Sequence, residues 1–451
     1  QVFNFFYSIF LLLPFYSLSQ DFNVLAPIMP NGVTRINTQP ADIISDNKTF
    51  DAAFTGMEAY FSGNIIKYST KNLLAFHQNP SYNYNELERI SVYLPAISIP
   101  LSEKASLGGT AFYRHQTSIK SLGADLGNDI ITEFSDSDKY NQLRSQQSGS
   151  AVLLNYYGGN ITYARVLSKL RRGRVNGGIS VLGLLGTSSA YTQIHHLKYT
   201  VPRSSVVAIR DYHLELGGSV RLNDMNNDQW LWLPDRSLGL GTNLGISWNR
   251  GKNYAQHGDL KVSKVSLAIL NLGFIRFNRG TNNFRAIGRD QKIALDLDNT
   301  FGNTVSINSI HDSLDIHLDA QQQTGHYKIG LPTSAVIETL FTRMDWRLFT
   351  SLHIDISTTL GYRYFLSSMS RLNVVPAWQG RYISVGLPVT LSLEGGIQAG
   401  TFLQAGIVSL GMTLSTLQPE GSRQAGFFLL LHLPNKKFQN PQSTCKHPFS
   451  R

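Results

Sequence analysis

Charge, cysteine and long apolar runs are all scarce in this chain of 451 residues. Charged residues make up 16% of it, whereas soluble globular proteins carry about 25%. Beyond residues 1–19 no apolar run approaches the roughly 20 residues that a membrane-spanning helix needs, which excludes helical membrane spans. The single cysteine, Cys445, excludes a disulfide framework and a cysteine-based metal site.

Catalytic and cofactor motifs are also missing. The sequence has no Gly-x-Ser-x-Gly elbow, no His-Glu-x-x-His helix and no phosphate-binding loop, so we expect no enzyme activity, no cofactor and no metal. His195 and His196 are adjacent. Because neighbouring residues of a strand point to opposite faces, this pair does not predict a joint metal site. Nucleic acid is not an expected partner, since no basic and aromatic binding motif is present.

The first residues form an apolar stretch. Residues 3–16 are almost wholly apolar, and Ser17, Leu18 and Ser19 follow in a small-x-small pattern. This arrangement is typical of the hydrophobic region and cleavage site of a secretory signal peptide. A transmembrane anchor is the alternative, but the run is shorter than the ~20 residues of a spanning helix. We therefore predict that residues 1–19 are a signal peptide that exports the chain.

Short alternating segments separated by turn residues dominate the remaining sequence. In residues 348–363 and 397–407, apolar and polar side chains alternate along the chain. Two faces that differ so much indicate lipid on one side and a polar interior on the other. We therefore predict an all-β transmembrane antiparallel β-barrel, with a soluble β-sandwich as the alternative. The candidate lumen-lining residues are His353, Asp355, Arg363, Gln398 and Gln404.

The same patterns divide the chain into segments after the signal peptide. Residues 20–85 contain several prolines and little periodicity, residues 86–434 carry the barrel strands, and residues 435–451 form a polar tail. Residues 128–148 and 299–326 break the strand rhythm and are predicted to be inserted loops. The net charge of +10 fits basic residues scattered over loops and turns. The alternative is attraction to anionic outer-membrane lipid, such as lipopolysaccharide, or to an acidic partner.

Several segments resemble a known family. Residues 261–278 read KVSKVSLAILNLGFIRFN, and the segments SLGLGTNLGISW, YKIGLP and GRYISVGLPVTLSLEGGIQAGTFLQAG lie on either side. Together they resemble a Bacteroidota outer-membrane β-barrel family of unknown function (DUF5723-like), which is related to FadL-like fatty-acid transporters and PorV-like barrels. The resemblance implies about 14 strands and an N-terminal plug within residues 20–85. Asn79 and Pro80 loosely match the hatch motif of those relatives, with Ser81 in place of their usual Ala.

Two functional hypotheses follow, and a third is weaker. The first is a channel or transporter for hydrophobic or small amphipathic solutes, which requires a continuous or plugged lumen. The second is a structural platform for an outer-membrane secretion or surface-protein complex, which requires a filled lumen and a protein partner. A barrel enzyme would need a Ser-His or Asp-His pair near one rim, and the sequence does not assemble one.

Overall fold

The computed structural model describes residues 32–44, 50–63, 66–67, 75–76, 83–132, 134–220, 237–250, 261–280, 283–289, 293–296, 320–380, 383–392, 396–414 and 423–432. The predicted signal peptide, the predicted polar tail and the motif residues Asn79 and Pro80 lie outside this part of the chain. None of the described helices is long and apolar enough to cross a membrane.

Of the described residues, 77% lie in strands, and these form a closed 14-stranded antiparallel β-barrel. In chain order the described strands are β1 (Asp51–Gly63), β2 (Ile66–Lys67), β3 (Ala75–Phe76), β4 (Tyr84–Ser102), β5 (Ala105–Leu122), β6 (Leu143–Leu170), β7 (Gly173–Arg203), β8 (Val206–Gly218), β9 (Ser237–Arg250), β10 (Lys261–Asn278), β11 (Phe284–Gly288), β12 (Ile293–Asp296), β13 (Gln321–Gln322), β14 (His326–Gly330), β15 (Ser334–Arg343), β16 (Trp346–Asp355), β17 (Tyr364–Phe365), β18 (Arg371–Gln379), β19 (Ile383–Gly386), β20 (Val389–Ser392), β21 (Gly396–Ala405), β22 (Val408–Leu414) and β23 (Arg423–His432). The barrel closes where β1 pairs with both β4 and β23.

Some barrel strands are built from more than one segment. β7 pairs with β9 along its first half and with β8 along its second half, so β8 and β9 together form one barrel strand. In the same way β10 is continued by β11 and β12, which pair with β8. β2 and β3 pair only with each other and lie outside the large sheet.

The outward face of the barrel is apolar, whereas the buried interior mixes polar side chains with an apolar cluster. Inward side chains such as Asn155, Thr162 and Asn373 are polar and fully buried. Outward side chains are large and apolar, and Leu240 is 67% exposed. Because an apolar outer surface of this kind is stable only against lipid, the barrel is a membrane-spanning one. The outward residues that form this apolar belt include Leu101, Leu107, Ile161, Leu167, Ile179, Val181, Leu238, Leu240, Leu267, Ile337, Leu352, Val385, Leu403 and Leu410.

The two ends of the barrel differ. At one end, near the belt, tight turns at 103–104, 171–172 and 344–345 join successive strands; we call it the turn end. At the opposite, distal end several strands continue far past the belt. β6 has 28 residues and β7 has 31, whereas about 9–11 residues suffice to cross a bilayer. We call the parts of β5–β8 beyond the belt, with β11, β12 and helix α1 (Ala124–Ile131), the distal extension.

Helix α1 is fixed to β6 and β7 by a buried ion pair and a hydrogen bond. Arg144 Nε lies 3.0 Å from Asp129 Oδ2, and Tyr199 Oη donates a hydrogen bond of 2.7 Å to the same oxygen. Burial and the neighbouring Asp129 carboxylate raise the pKa of Tyr199, so the phenol remains a donor. Tyr199 also belongs to an apolar cluster with Leu126 of α1, so polar and apolar contacts hold the helix together.

Three sequence expectations differ from the structure. The barrel begins at β1, inside the segment 20–85 that we expected to contain no barrel strand. The strand expected over residues 348–363 ends at Asp355, because Asp355 Oδ1 accepts a hydrogen bond of 2.9 Å from Ser357 N and a 3-10 turn follows. The insertion expected at 128–148 contains the end of α1 and the start of β6. Of the predicted loop 299–326, only residues 320–326 are described.

Candidate functional site in the barrel lumen

The lumen is filled by hydrogen-bonded polar side chains. Asn373 Nδ2 donates to Ser351 Oγ at 2.9 Å, and Thr390 Oγ1 donates to Asn373 Oδ1 at 2.8 Å. On the opposite wall Asn155 Nδ2 donates to Ser188 Oγ at 2.8 Å. Buried polar groups need such partners, because an unmade hydrogen bond in the interior costs about 1–3 kcal/mol. The network therefore stiffens the barrel wall and leaves little open space along it.

Residues 32–44 lie inside the lumen near the turn end, and we call them the N-terminal segment. They form two 3-10 turns, Gly32–Arg35 and Pro40–Ile43. Ile36, Ala41 and Ile43 have no exposed surface. Asn160 Nδ2 of β6 donates to Asn37 Oδ1 at 2.6 Å, and Gln39 Nε2 donates to the carbonyl oxygen of Leu267 at 3.1 Å. The segment is thus bound by strands on two sides of the barrel.

A buried network of four charges anchors the N-terminal segment. Arg35 Nη2 lies 3.0 Å from Asp42 Oδ2 within the segment. The same guanidinium contacts Glu338 of β15, and Asp42 contacts Lys264 of β10. Ser266 Oγ donates a further hydrogen bond of 2.8 Å to Glu338. Two cations and two anions balance in charge, so removal of any one leaves an uncompensated buried charge.

Two glycines in the barrel wall make room for the N-terminal segment. A Cβ atom on Gly178 of β7 would lie 2.4 Å from both Ala41 N and Pro40 C. A Cβ atom on Gly245 of β9 would lie 1.9 Å from Gln39 Oε1. The clash at Gly178 is with the backbone of the segment, so only glycine allows the segment to pack this closely there. The clash at Gly245 is with the end of a flexible side chain, which can move aside more easily.

A cavity lies in the lumen between the N-terminal segment and the distal end. Its volume is about 40 Å³, which is room for a few water molecules in the closed state. Asn37 of the segment forms part of its wall. The remaining lining mixes apolar and charged groups: Tyr60, Leu87, Arg89, Phe112, Arg114, Gln116, Leu182, Asn243, Leu270, Asn271, Pro332, Ser334, His353, Ser368, Met369 and Arg371.

Three arginines give the cavity wall a positive character. Arg114 is buried and donates to two neutral acceptors, Ser91 Oγ and Tyr156 Oη, each at 3.2 Å. Arg89 Nε lies 3.1 Å from the buried Glu58 carboxylate. Arg371 lies over the ring of Tyr60, with its Cζ 5.6 Å from the centroid. Among these side chains, three guanidinium groups are balanced by a single carboxylate, that of Glu58.

A layer of aromatic side chains lies on the distal side of the cavity. The Tyr191 and Tyr364 rings stack with centroids 3.8 Å apart, and Tyr327 lies 5.1 Å from Tyr191. Phe277 stacks on Tyr327 at 5.7 Å. The Cζ of Arg279 lies 5.8 Å and 5.4 Å from the Tyr191 and Tyr327 centroids. These rings, which we call the aromatic layer, fill the lumen beside β7, β10 and β14 with side chains alone.

Beyond the aromatic layer, the buried carboxylate of Glu215 on β8 collects several donors. Arg363 contacts Glu215 Oε1, and Tyr364 Oη donates to Oε2 at 3.0 Å. Burial alone would raise the pKa of Glu215, but the hydrogen bonds from Arg363 and Tyr364 outweigh it and hold that pKa below its usual range. Glu215 is therefore an anion at neutral pH, although it has no exposed surface.

Two histidines approach the same carboxylate. His195 Nε2 of β7 and His213 Nε2 of β8 each lie 3.6 Å from Glu215 Oε1. Their rings are 4.3 Å apart, and Arg285 Nε lies 3.4 Å from His213 Nε2. Burial, His195 and Arg285 lower the pKa of His213 against the attraction of Glu215, which favours the neutral imidazole. In the sequence, His195 attracted attention only as the neighbour of His196, and its approach to His213 and Glu215 was not predicted.

The structure places the predicted lumen residues at different points. His353 is buried in the cavity wall, and Gln398 and Gln404 are buried inward-facing residues of β21. Asp355 ends β16 and Arg363 contacts Glu215 outside any regular strand. A role of these side chains in binding a solute stays a prediction. The arginines of the cavity wall were not predicted, although single arginines inside alternating strands are a usable signal.

Solved structures with a similar fold have very different sequences. The toluene transporter TodX of Pseudomonas putida is 8% identical, covers 92% of this chain and 98% of its own, and gives a TM-score of 0.42. A Pseudomonas aeruginosa FadL homologue is 9% identical, with coverages of 90% and 95% and a TM-score of 0.39. The Ralstonia pickettii toluene transporter TbuX is 8% identical, with coverages of 89% and 93% and a TM-score of 0.34.

At such low identities and TM-scores, these likenesses carry no information about what this chain binds. No curated protein sequence is significantly similar to the chain. The sequence matches the family of unknown function DUF5723 over residues 121–416, which is more than half of its length, and the chain therefore belongs to that family.

Proposed function

We propose that the chain is an outer-membrane channel of a Gram-negative bacterium for small amphipathic solutes, plugged by its N-terminal segment. Export by the predicted signal peptide would deliver the barrel to that membrane, where the apolar belt contacts lipid. The basic residues Arg171 and Arg172 at the turn end would contact anionic head groups. The proposal includes neither a cofactor nor an enzymatic step.

The observation that carries this proposal is the position of the cavity. It lies between two barriers, the N-terminal segment on the turn side and the aromatic layer on the distal side. Both barriers consist of side chains and a short chain segment, not of barrel wall. Either can move without breaking the hydrogen bonds between strands, so a path through the barrel requires no unfolding.

The lining of the cavity favours an amphipathic solute. Phe112 and Leu182 offer apolar surface, while Arg89, Arg114 and Arg371 offer cationic donors. A solute with an apolar body and an acidic or acceptor-rich group satisfies both kinds of wall. A purely apolar solute would contact only the apolar part of this lining and would gain nothing from the guanidinium groups.

Flux measurements on the variant Glu338→Gln test the proposal. Glutamine keeps the shape of the side chain but removes the anion that contacts Arg35. Loss of one partner of a buried ion pair costs about 3–5 kcal/mol, and release of the N-terminal segment relieves this cost. We expect the variant in proteoliposomes to pass small anionic amphipathic dyes faster than the wild type.

The matched control is Lys139→Gln, which breaks a partly exposed ion pair with Asp136 at 3.2 Å between α1 and β6. Exposed pairs contribute little, so we expect wild-type flux from it. Folding of each variant is checked by heat-modifiable migration in gels. Equal flux through wild type, Glu338→Gln and Lys139→Gln, with all three folded, would rule out a plug released at this network.

The distal extension favours a second candidate function, a platform for an outer-membrane complex. Strands of 28 and 31 residues continue well beyond the belt and present surface outside the bilayer. A platform needs such a surface for a protein partner, and it does not need a solute to pass through the barrel. Gentle solubilisation followed by affinity purification tests this candidate function. Recovery of a stoichiometric protein partner that is lost when the β7–β8 hairpin is shortened would support it. Recovery of the barrel alone would contradict it.

A further inference from the structure

The cluster around Glu215 brings three potential metal ligands together from neighbouring strands. The pairing of β7 with β8 shifts between Ile194 and His196, so His195 lies at a bulge. The bulge turns His195 towards His213, although His196 is the residue that pairs with His213 in the sheet. One nitrogen of each ring and one carboxylate oxygen of Glu215 lie within 4.8 Å of one another.

The spacing of these atoms approaches that of a tetrahedral metal site. Bonds of about 2.0–2.1 Å from nitrogen or oxygen to Zn²⁺ place two ligand atoms roughly 3.3 Å apart. Each histidine Nε2 lies 3.6 Å from Glu215 Oε1. Small side-chain rotations therefore bring all three atoms into range. Two imidazoles and one carboxylate form a donor set that zinc and other divalent first-row ions bind in proteins.

The surrounding side chains orient this donor set. Tyr364 Oη donates a hydrogen bond to Glu215 Oε2, and the other carboxylate oxygen, Oε1, points at the two imidazoles. Such a hydrogen bond to a liganding carboxylate is the usual support of a metal site. His195 is 37% exposed in its side chain, so an ion can reach the cluster from the distal mouth.

Two guanidinium groups oppose a metal ion. Arg363 contacts Glu215 Oε1, and Arg285 Nε lies 3.5 Å from the same oxygen. Arg363 therefore occupies the place that a cation would take. Its side chain is 50% exposed, so it can turn into solvent without leaving a buried charge behind. The two states differ in which cation neutralises Glu215.

We infer that His195, His213 and Glu215 bind a divalent first-row transition ion in exchange for Arg363. The site lies outside the apolar belt, at the distal mouth, and binding of an ion there does not require solute passage through the lumen. The carboxylate stays ionised in both states, and the only covalent change is coordination of the ion. A metal ion here links β7 to β8 and ties the bulge to the aromatic layer through Tyr364.

Isothermal titration of the untagged full-length barrel in detergent with Zn²⁺ alone tests this inference. We expect one saturable site per chain, with affinity lowered more than about tenfold in His213→Ala. Arg363→Gln should tighten binding by about tenfold or more, because it removes a competing cation. His196→Ala is the matched control, since that neighbouring ring lies outside the cluster, and it should bind Zn²⁺ like the wild type.

Three results would overturn the site. The first is that neither the wild type nor Arg363→Gln shows saturable Zn²⁺ binding. The second is an equal loss of Zn²⁺ affinity in His196→Ala and His213→Ala, and the third is weaker Zn²⁺ binding in Arg363→Gln than in the wild type. Heat-modifiable migration confirms that each variant is folded before titration. Because the readout is binding and not flux, failure of the channel proposal would leave this result unaffected.

Discussion

Substitution of Gly178 by alanine should expel the N-terminal segment from the lumen. The new Cβ atom would lie 2.4 Å from Ala41 N and Pro40 C and 2.6 Å from Pro40 O. Carbon atoms in contact are ordinarily about 3.5–4.0 Å apart, so the segment backbone must retreat by roughly 1 Å or more. The ion pairs of Arg35 and Asp42 with the barrel wall cannot persist after such a shift.

The size of the effect follows from the cost of overpacking. Extra methyl or methylene groups in a close-packed interior cost about 1–3 kcal/mol. If the released state avoids this clash, the ratio of released to bound segment rises roughly 5- to 150-fold. Gly183 on the same strand is the matched control, because a Cβ atom there meets nothing within 4 Å.

Thiol labelling measures the release directly. In a Cys445→Ser background, Thr38→Cys places a thiol in the N-terminal segment, where Thr38 is 2% exposed. A membrane-impermeant maleimide should react slowly with this thiol in the parent and in Gly183→Ala, and much faster in Gly178→Ala. Solute flux should rise in parallel. Identical labelling rates in the two alanine variants would refute the view that Gly178 holds the segment in place.

Two further predictions concern the lipid surface and the distal extension. Leu240→Arg in the belt should lower the free energy of unfolding in lipid vesicles by about 2–4 kcal/mol. Its control is Leu143→Arg, at an exposed position beyond the belt, which should change that free energy little. Equal effects of the two substitutions would contradict the assignment of the belt. Tyr199→Phe should remove a hydrogen bond to the Asp129 carboxylate worth about 1.5–3 kcal/mol and speed amide exchange in α1. Tyr163→Phe, at an exposed position, is its control, and unchanged exchange in α1 would contradict the role of Tyr199.

The alternation of side chains was sufficient to predict the barrel. A period of two with lipid on one face is a local property, so residues 397–407 and the surroundings of His353 revealed it from the sequence alone. β1 was missed because its pairing with β23 shifts between Ala53 and Thr55, and a bulge interrupts the period that would have identified it.

The contacts that define the site depend on distant parts of the chain. Arg35 and Glu338 are 303 positions apart, and no local pattern links them. His195 and His213 are neighbours only because of a bulge in β7 whose position the sequence does not mark. The need for glycine at position 178 comes from the backbone of the N-terminal segment, which only the closed barrel brings near.

The short connection between the N-terminal segment and β1 limits how far a released segment can travel. Five residues separate Ile44 from Phe50, and an extended chain of that length spans about 20 Å. A segment that leaves the lumen therefore stays tethered beside the turn-end opening at a high effective concentration. Re-entry becomes a fast intramolecular step that needs no partner, so opening would occur in brief events that the barrel itself terminates.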